Sequence, residues 1–145
     1  MAILLPADLD LSKLPHSERR VCESLMAGLD DSWYVIPSVP VVDDGKDGEI
    51  DVILVSAEAG VFVMEVKGGT IRLENGKWFQ NDHEMKKSPS DQVTRNKHLL
   101  LNRLKRVRVP VPYVQHLLAF PDVANIPEVG LGPDVPHEIV FGHNE

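Results

Sequence analysis

Two neighbouring apolar runs that carry charges constrain this chain more than any other feature. EIDVILVS (49–56) and GVFVMEVKG (60–68) are rich in β-branched residues, and EAG (58–60) reads as a turn, so the pair is expected to form a strand hairpin. Strand side chains alternate between faces. Val61, Val63, Glu65 and Lys67 then share one face, with Phe62, Met64 and Val66 on the other. In the preceding strand Ile50, Val52 and Leu54 share a face, and Asp51, Ile53 and Val55 the opposite one. Folding back near residue 58 brings Asp51 within reach of the Glu65–Lys67 end. Burying unpaired charge is costly, so charges set among valines and isoleucines need a reason. A sheet-edge ion pair of Lys67 with Glu65 or Asp51 is the plain alternative, and for a lone Glu-x-Lys it is the commoner one.

Two helices add polar groups to the same account. SERRVCESLMAGL (17–29) places Val21, Cys22, Leu25, Met26 and Leu29 on one face, with Pro15 and Ser17 as start signals. Glu18 lies near the centre of that apolar face, although Arg19, Arg20 and Glu23 show that a solvent face was open to charge. Two or three inward carboxylates with one lysine resemble an oxygen-ligand site for a hard cation. The second helix opens at Pro89 and runs to about Arg106. Gln92 sits at the margin of its stripe of Val93, Leu99, Leu100, Leu104 and Val107, with Asn96 one turn on; a first-turn capping role is the alternative for Gln92.

The remaining elements fill in a layered α/β plan. WYVIPSVPVV (33–42) reads as an edge or bent strand because of Pro37 and Pro40, and DDGKDG (43–48) as a turn. TIRL and KWFQ flank Glu74-Asn75-Gly76, a hairpin signal. Tyr113–Phe120 is a further strand and EIVFG (138–142) a short candidate, with a proline-bearing stretch at 121–137 between them. The order is α-β-β-β-(hairpin)-α-β. The length of 145 residues suits one domain. The chain ends without a closing element, so 121–145 is expected to be an extension or the start of a linker to a further domain.

Composition bears on partner and compartment. The net charge of −7 is uneven: residues 86–108 hold eight Lys/Arg against Asp91 alone, which gives that segment +7 and the rest −14. A basic face on an acidic protein fits a nucleic-acid partner, with a solvated helix surface as the alternative. Cys22 is the only cysteine, so no internal disulfide forms, and with no Cys-x-x-Cys a structural zinc site is not expected. No signal peptide or membrane-length run is read, and a cytoplasmic protein is expected.

The run DGEIDVILVSAEAGVFVMEVKGG, followed by NGKW and SPSDQ, resembles the nuclease-related domain (NERD) found in many bacterial proteins. That family belongs to the restriction-endonuclease-like superfamily, and the resemblance covers about residues 16–120. It implies an α/β fold with an α-β-β-β-α-β core, a mixed central sheet flanked by helices and an inserted β-hairpin. Matched one by one, the family's marks are Glu18 in HSERRV, Asp51 in EID, Glu65 and Lys67 in EVK, and Gln92 in SPSDQ. Ser17 stands where a small residue or glycine is usual before the helix-one glutamate.

The resemblance implies hydrolysis of DNA phosphodiesters with magnesium or manganese, in DNA processing or repair. Asp51 and Glu65 would hold the metal, with the carbonyl of Val66 as a further ligand. Lys67 would position water or neutralise charge on phosphorus, Gln92 would orient Lys67 or the water, and Glu18 would reach the metal through water. Lys86, Lys87, Arg95 and Lys97 are candidate phosphate contacts. A covalently fused C-terminal domain such as a helicase is the partner besides DNA, and no membrane is implied. The alternative function is a catalytically silent nucleic-acid-binding or interaction module serving such a domain.

Other signals carry less. Asp43-x-Gly45-x-Asp47-Gly48 has Leu54 where a calcium loop needs glutamate, so it reads as a turn. Gly68-Gly69 reads as a sharp turn, Trp33 and Trp78 as packing, His83 as a solvated loop residue and Cys22 as inert.

Overall fold

The computed structural model describes residues 1–43, 45–110, 113–124, 135 and 137–142. Its elements run β1 (Ile3–Leu4), α1 (His16–Gly28), β2 (Trp33–Asp43), β3 (Lys46–Ser56), β4 (Gly60–Val66), β5 (Ile71–Glu74), β6 (Lys77–Gln80), β7 (His83–Glu84), α2 (Pro89–Arg106), β8 (Val114–Ala119) and β9 (Val140–Phe141). A six-stranded sheet has the order β1-β2-β3-β4-β8-β9, and a separate three-stranded meander the order β5-β6-β7. The large sheet is mixed: β2, β3 and β4 are antiparallel, whereas β1 joins β2, β8 joins β4 and β9 joins β8 in parallel. This is the α/β fold that the sequence implied, with the inserted hairpin enlarged to a meander. Most of the stretch read as proline-bearing between 121 and 137, and the end of the chain at 143–145, lie outside the described residues.

Each face of the sheet has its own core. Against α2 pack Ile53, Val63, Leu118, Val93 and Leu99, joined by Trp78 of the meander and Phe120. Against α1 pack Cys22, Val35, Val52, Leu54, Met64 and Val66. The second helix forms where its signals predict: Pro89 occupies its first turn and the Ser88 side chain accepts the Asp91 N–H at 3.0 Å. Trp78 is buried and tilted against Phe120, and Trp33 against Phe62, so both tryptophans pack.

Simple alternation fails at one level of the sheet. It groups Ile50 with Val52 and Leu54, yet Ile50 packs in the α2 core while Val52 and Leu54 pack against α1. The partner strand does the same, with Val35 on the α1 side and Val41 on the α2 side. Between them the β2–β3 ladder skips Ser38, whose φ is 52°, at the position opposite Asp51. Both strands turn over there, and Asp51 sits where they cross from one core to the other. Pro37 and Pro40 lie beyond the reach of β1, on the free edge, where a missing N–H breaks no ladder.

The turn read at 43–48 is also shorter than expected. The ladder continues to Asp43↔Lys46, and Gly48 and Glu49 belong to β3. This extended hairpin lies under α2, where Asn96 donates to the Glu49 carbonyl at 3.0 Å and Arg95 to the Asp47 carbonyl at 2.9 Å. Gly48 permits the approach, since a Cβ there would stand 2.5 Å from Asn96 Oδ1 and 3.2 Å from Leu99 Cδ1. Gly48→Ala is therefore expected to destabilise the chain by ~1–3 kcal/mol through overpacking. Urea unfolding measures it, and Asn96→Ala in the same chain should recover part of the loss.

Candidate active site

Three acidic side chains from three elements meet at the level where β2 and β3 turn over. The backbone pairing of β3 with β4 ends at Val52↔Met64. Beyond it, the Val66 N–H donates to Asp51 Oδ2 at 2.9 Å, so the carboxylate takes an amide at the end of the ladder. Glu65, only 6% exposed, accepts from Lys67, whose Nζ stands 3.2 Å from Oε1. Glu18 comes from the first turn of α1 and lies within hydrogen-bonding reach of Asp51. Its Oε2 is shielded from solvent and has no hydrogen-bond partner.

Too much negative charge is gathered there for one ammonium to balance. Burial, then the charge of Asp51, pushes the Glu18 carboxyl up to about 7. Burial, then Asp51 again, pushes Glu65 up to about 7, against the pull of Lys67. Asp51 is also raised by burial, although the Val66 amide and Lys67 restrain it. Glu49 adds a fourth carboxylate whose charge raises both Glu18 and Asp51. It was overlooked in the sequence, although its place two residues before Asp51 on one strand was a usable signal. Cys22, beside Glu18 and Asp51, is buried with its thiol pushed up to about 12, which leaves it inert as expected.

The other expected residues divide into two groups. Lys67 and Gln92 line one cavity of about 580 Å³ together with Lys86, Lys87, Gln80 and His83. Gln92 also donates to the Lys87 carbonyl at 3.4 Å. His83 is exposed, but on strand β7 instead of in a loop. The meander wall is stitched to the corner after Lys67: Gln80 donates to the Gly68 carbonyl at 2.8 Å, and Asn81 accepts the Thr70 N–H at 2.9 Å. Arg95 and Lys97 are engaged elsewhere, Arg95 on the Asp47 carbonyl and Lys97 3.0 Å from His116 Nδ1. Burial, then Lys97 and His98, hold the His116 pKa below its usual value. A larger cavity of about 750 Å³ beside α1 is lined by Leu25, Trp33, Leu54 and Met64 and holds none of the expected site residues. Size alone does not mark the chemistry here.

The donor set suits a hard divalent cation held loosely. Among the described residues no group of three acidic, histidine or cysteine side chains is placed to hold a metal ion. Magnesium, however, usually takes one or two carboxylates and keeps its waters. Asp51 and Glu65 are two carboxylates of the kind such an ion takes, and the shielded, unpartnered Glu18 Oε2 is an acceptor that lacks a donor. The residues fit such an ion.

The model of the nuclease-related domain family matches residues 16–121, most of the chain. No curated protein and no solved structure matches it. No helix among the described residues is long and apolar enough to cross a membrane.

The crowding predicts an unusual pH profile for the metal-free chain. A carboxyl raised from 4.5 to about 7 is protonated more readily folded than unfolded, so its contribution is present below 4.5 and is lost as pH climbs through about 7. In EDTA, the melting temperature should fall between pH 5 and 8. Glu18→Gln should flatten that fall and raise the melting temperature at pH 8. A melting temperature that climbs over this range would contradict the crowding.

Proposed function

The chain belongs to the nuclease-related domain family, and on that premise we propose that it is a divalent-metal-dependent nuclease that hydrolyses DNA phosphodiester bonds. The observation that carries this reading is the crowding of Glu18, Asp51 and Glu65, of which only Asp51 and Glu65 feel the ammonium of Lys67. A structural ion pair needs one carboxylate. Three, desolvated and mutually repelling, cost stability and are better explained by a cation that the site binds.

Asp51 and Glu65 would hold magnesium or manganese, with the Val66 carbonyl as a further oxygen. Once bound, the ion would supply Lewis-acid polarisation of the scissile phosphate. Every other part falls to the chain's own groups. Lys67, partly exposed at the mouth of the cavity and tethered by Glu65, faces the phosphate and offsets charge that develops on its oxygens. Gln92, across the cavity from it, orients Lys67 or the attacking water. Glu18 backs Asp51 and would reach the ion through a water. Lys86 and Lys87, just before α2, take backbone phosphates of the bound strand without reading its sequence. Arg95 and Lys97 are secondary contacts in this reading, because each is already bonded within the fold.

Purified protein is expected to cut DNA only with added magnesium or manganese. Asp51→Asn, Glu65→Gln and Lys67→Ala should each abolish cutting while leaving circular dichroism unchanged. Metal should raise the melting temperature of the parent chain and not of Asp51→Asn, since a ligand bound only by the folded state stabilises it by mass action. Undiminished cleavage in EDTA, or by the Glu65→Gln protein, overturns the assignment.

Binding should track the lysines of the cavity and not the net charge. Reversing Lys86 and Lys87 to glutamate is expected to weaken DNA binding on all sequences alike. The log–log salt slope should flatten by roughly one unit per lost phosphate contact. An unchanged slope would make these lysines ordinary solvated surface.

A further inference from the structure

The corner that follows Lys67 is held from outside the family's matched segment. Strand β4 ends at Val66, and after it the Lys67 N–H still bonds the Ala119 carbonyl at 3.0 Å. Gly68 and Gly69 then leave the sheet. Asp122, just past the end of β8, accepts the Gly69 N–H on Oδ2 at 2.6 Å. Its other oxygen, Oδ1, is paired with Arg20 Nη1, and Arg20 Nη2 donates to the Pro121 carbonyl at 3.3 Å. Arg20 belongs to α1, two residues after Glu18. One carboxylate therefore joins the helix that carries Glu18, the corner that carries Lys67 and the end of β8. The Gly69 amide and Arg20 hold it below the usual carboxylate range, so it stays charged at neutral pH.

We propose that Asp122 is a positioning residue that, with Arg20, ties the corner carrying Lys67 to the helix carrying Glu18 and so sets where Lys67 stands beside Glu65 and Asp51. Its functional consequence rests on the nuclease reading given above; the geometric clamp does not. Asp122 is exposed, and a solvent-exposed ion pair contributes little to folding. Position is another matter. A displacement of about 1 Å in a reacting constellation costs on the order of 100-fold in rate, and the glycines of this corner offer little stiffness of their own. Asp122 thus governs where Lys67 stands without governing whether the chain folds.

The test compares Asp122→Ala, Asp122→Asn and the parent in the full chain. Two measurements need no catalysis: hydrogen exchange of the Gly69 amide, and the rate at which a soluble amine-reactive ester modifies Lys67, read by peptide mass spectrometry. In Asp122→Ala both rates should rise several-fold with a melting temperature close to that of the parent. Asp122→Asn keeps an acceptor for Gly69 and should restore most of the difference. If the parent cuts DNA, Asp122→Ala should lower kcat about 10- to 100-fold with KM little changed. Unchanged exchange and labelling in Asp122→Ala overturn the clamp, whatever the parent does to DNA. Raised rates in Asp122→Ala, when the parent never cuts, sustain the clamp and count only against the nuclease reading. Loss of folding in Asp122→Ala, matched by Arg20→Lys, would make the junction merely structural and also overturn it.

Discussion

The arrangement depends on one hydrogen bond, from the Val66 amide to Asp51 Oδ2. It forms where the β3–β4 ladder gives out after Val52↔Met64. A buried backbone N–H must find an acceptor, and here the acceptor is a carboxylate of the neighbouring strand. That fixes Asp51 against the strand that carries Glu65 and Lys67. The same event is visible on the other side of β3, where Ser38 drops out of the β2 ladder and both strands turn over. Asp51 is spared commitment to either core because its strand is crossing between them.

A site assembled this way is electrostatically unfinished. Asp51 has an amide and Lys67 to restrain it, Glu65 has Lys67, and Glu18 has neither. Breaking a buried pair is costly because it leaves a charge uncompensated, and this fold keeps such a charge by construction. Natural proteins accept local cost of this kind at functional sites. An apolar cluster packs on each face of the sheet beside it, and Cys22 of the α1 cluster is itself pushed out of reach of ionisation.

Much of this was legible in the sequence, and the limits have physical causes. Asp51, Glu65 and Lys67 follow from strand alternation and one short turn, both local. Glu18 follows from helical period, and Ser88-Pro89 marks the start of α2 by capping chemistry. What escaped was set at long range. Ile50 was assigned to the wrong face because alternation assumes an unbroken strand, and Ser38 breaks it from a partner strand. The turn at 43–48 was read too long because Gly45 and Gly48 look alike in sequence, although only Gly45 has a positive φ. Gly48 answers to the approach of Asn96 from α2. Arg95 and Lys97 look like free cations in sequence, and their partners, the Asp47 carbonyl and His116, lie on distant strands. Arg20 was placed on the solvent face of α1, yet its partner Asp122 is 102 residues away.

The glycine after the lysine shows how tightly helix and strand are fitted. A Cβ on Gly68 would overlap the Ser17 hydroxyl, so α1 can approach the end of β4 only because residue 68 has no side chain. Ser17 precedes Glu18, and that contact sets how deep the glutamate reaches. The space a side chain at Gly68 would need is taken by Ser17. The same corner receives Asn81 against Gly69 from the meander and Asp122 from the end of β8. Three elements, α1, the meander and the end of β8, converge on two glycines, and the absence of side chains there lets them close on the corner that carries the lysine.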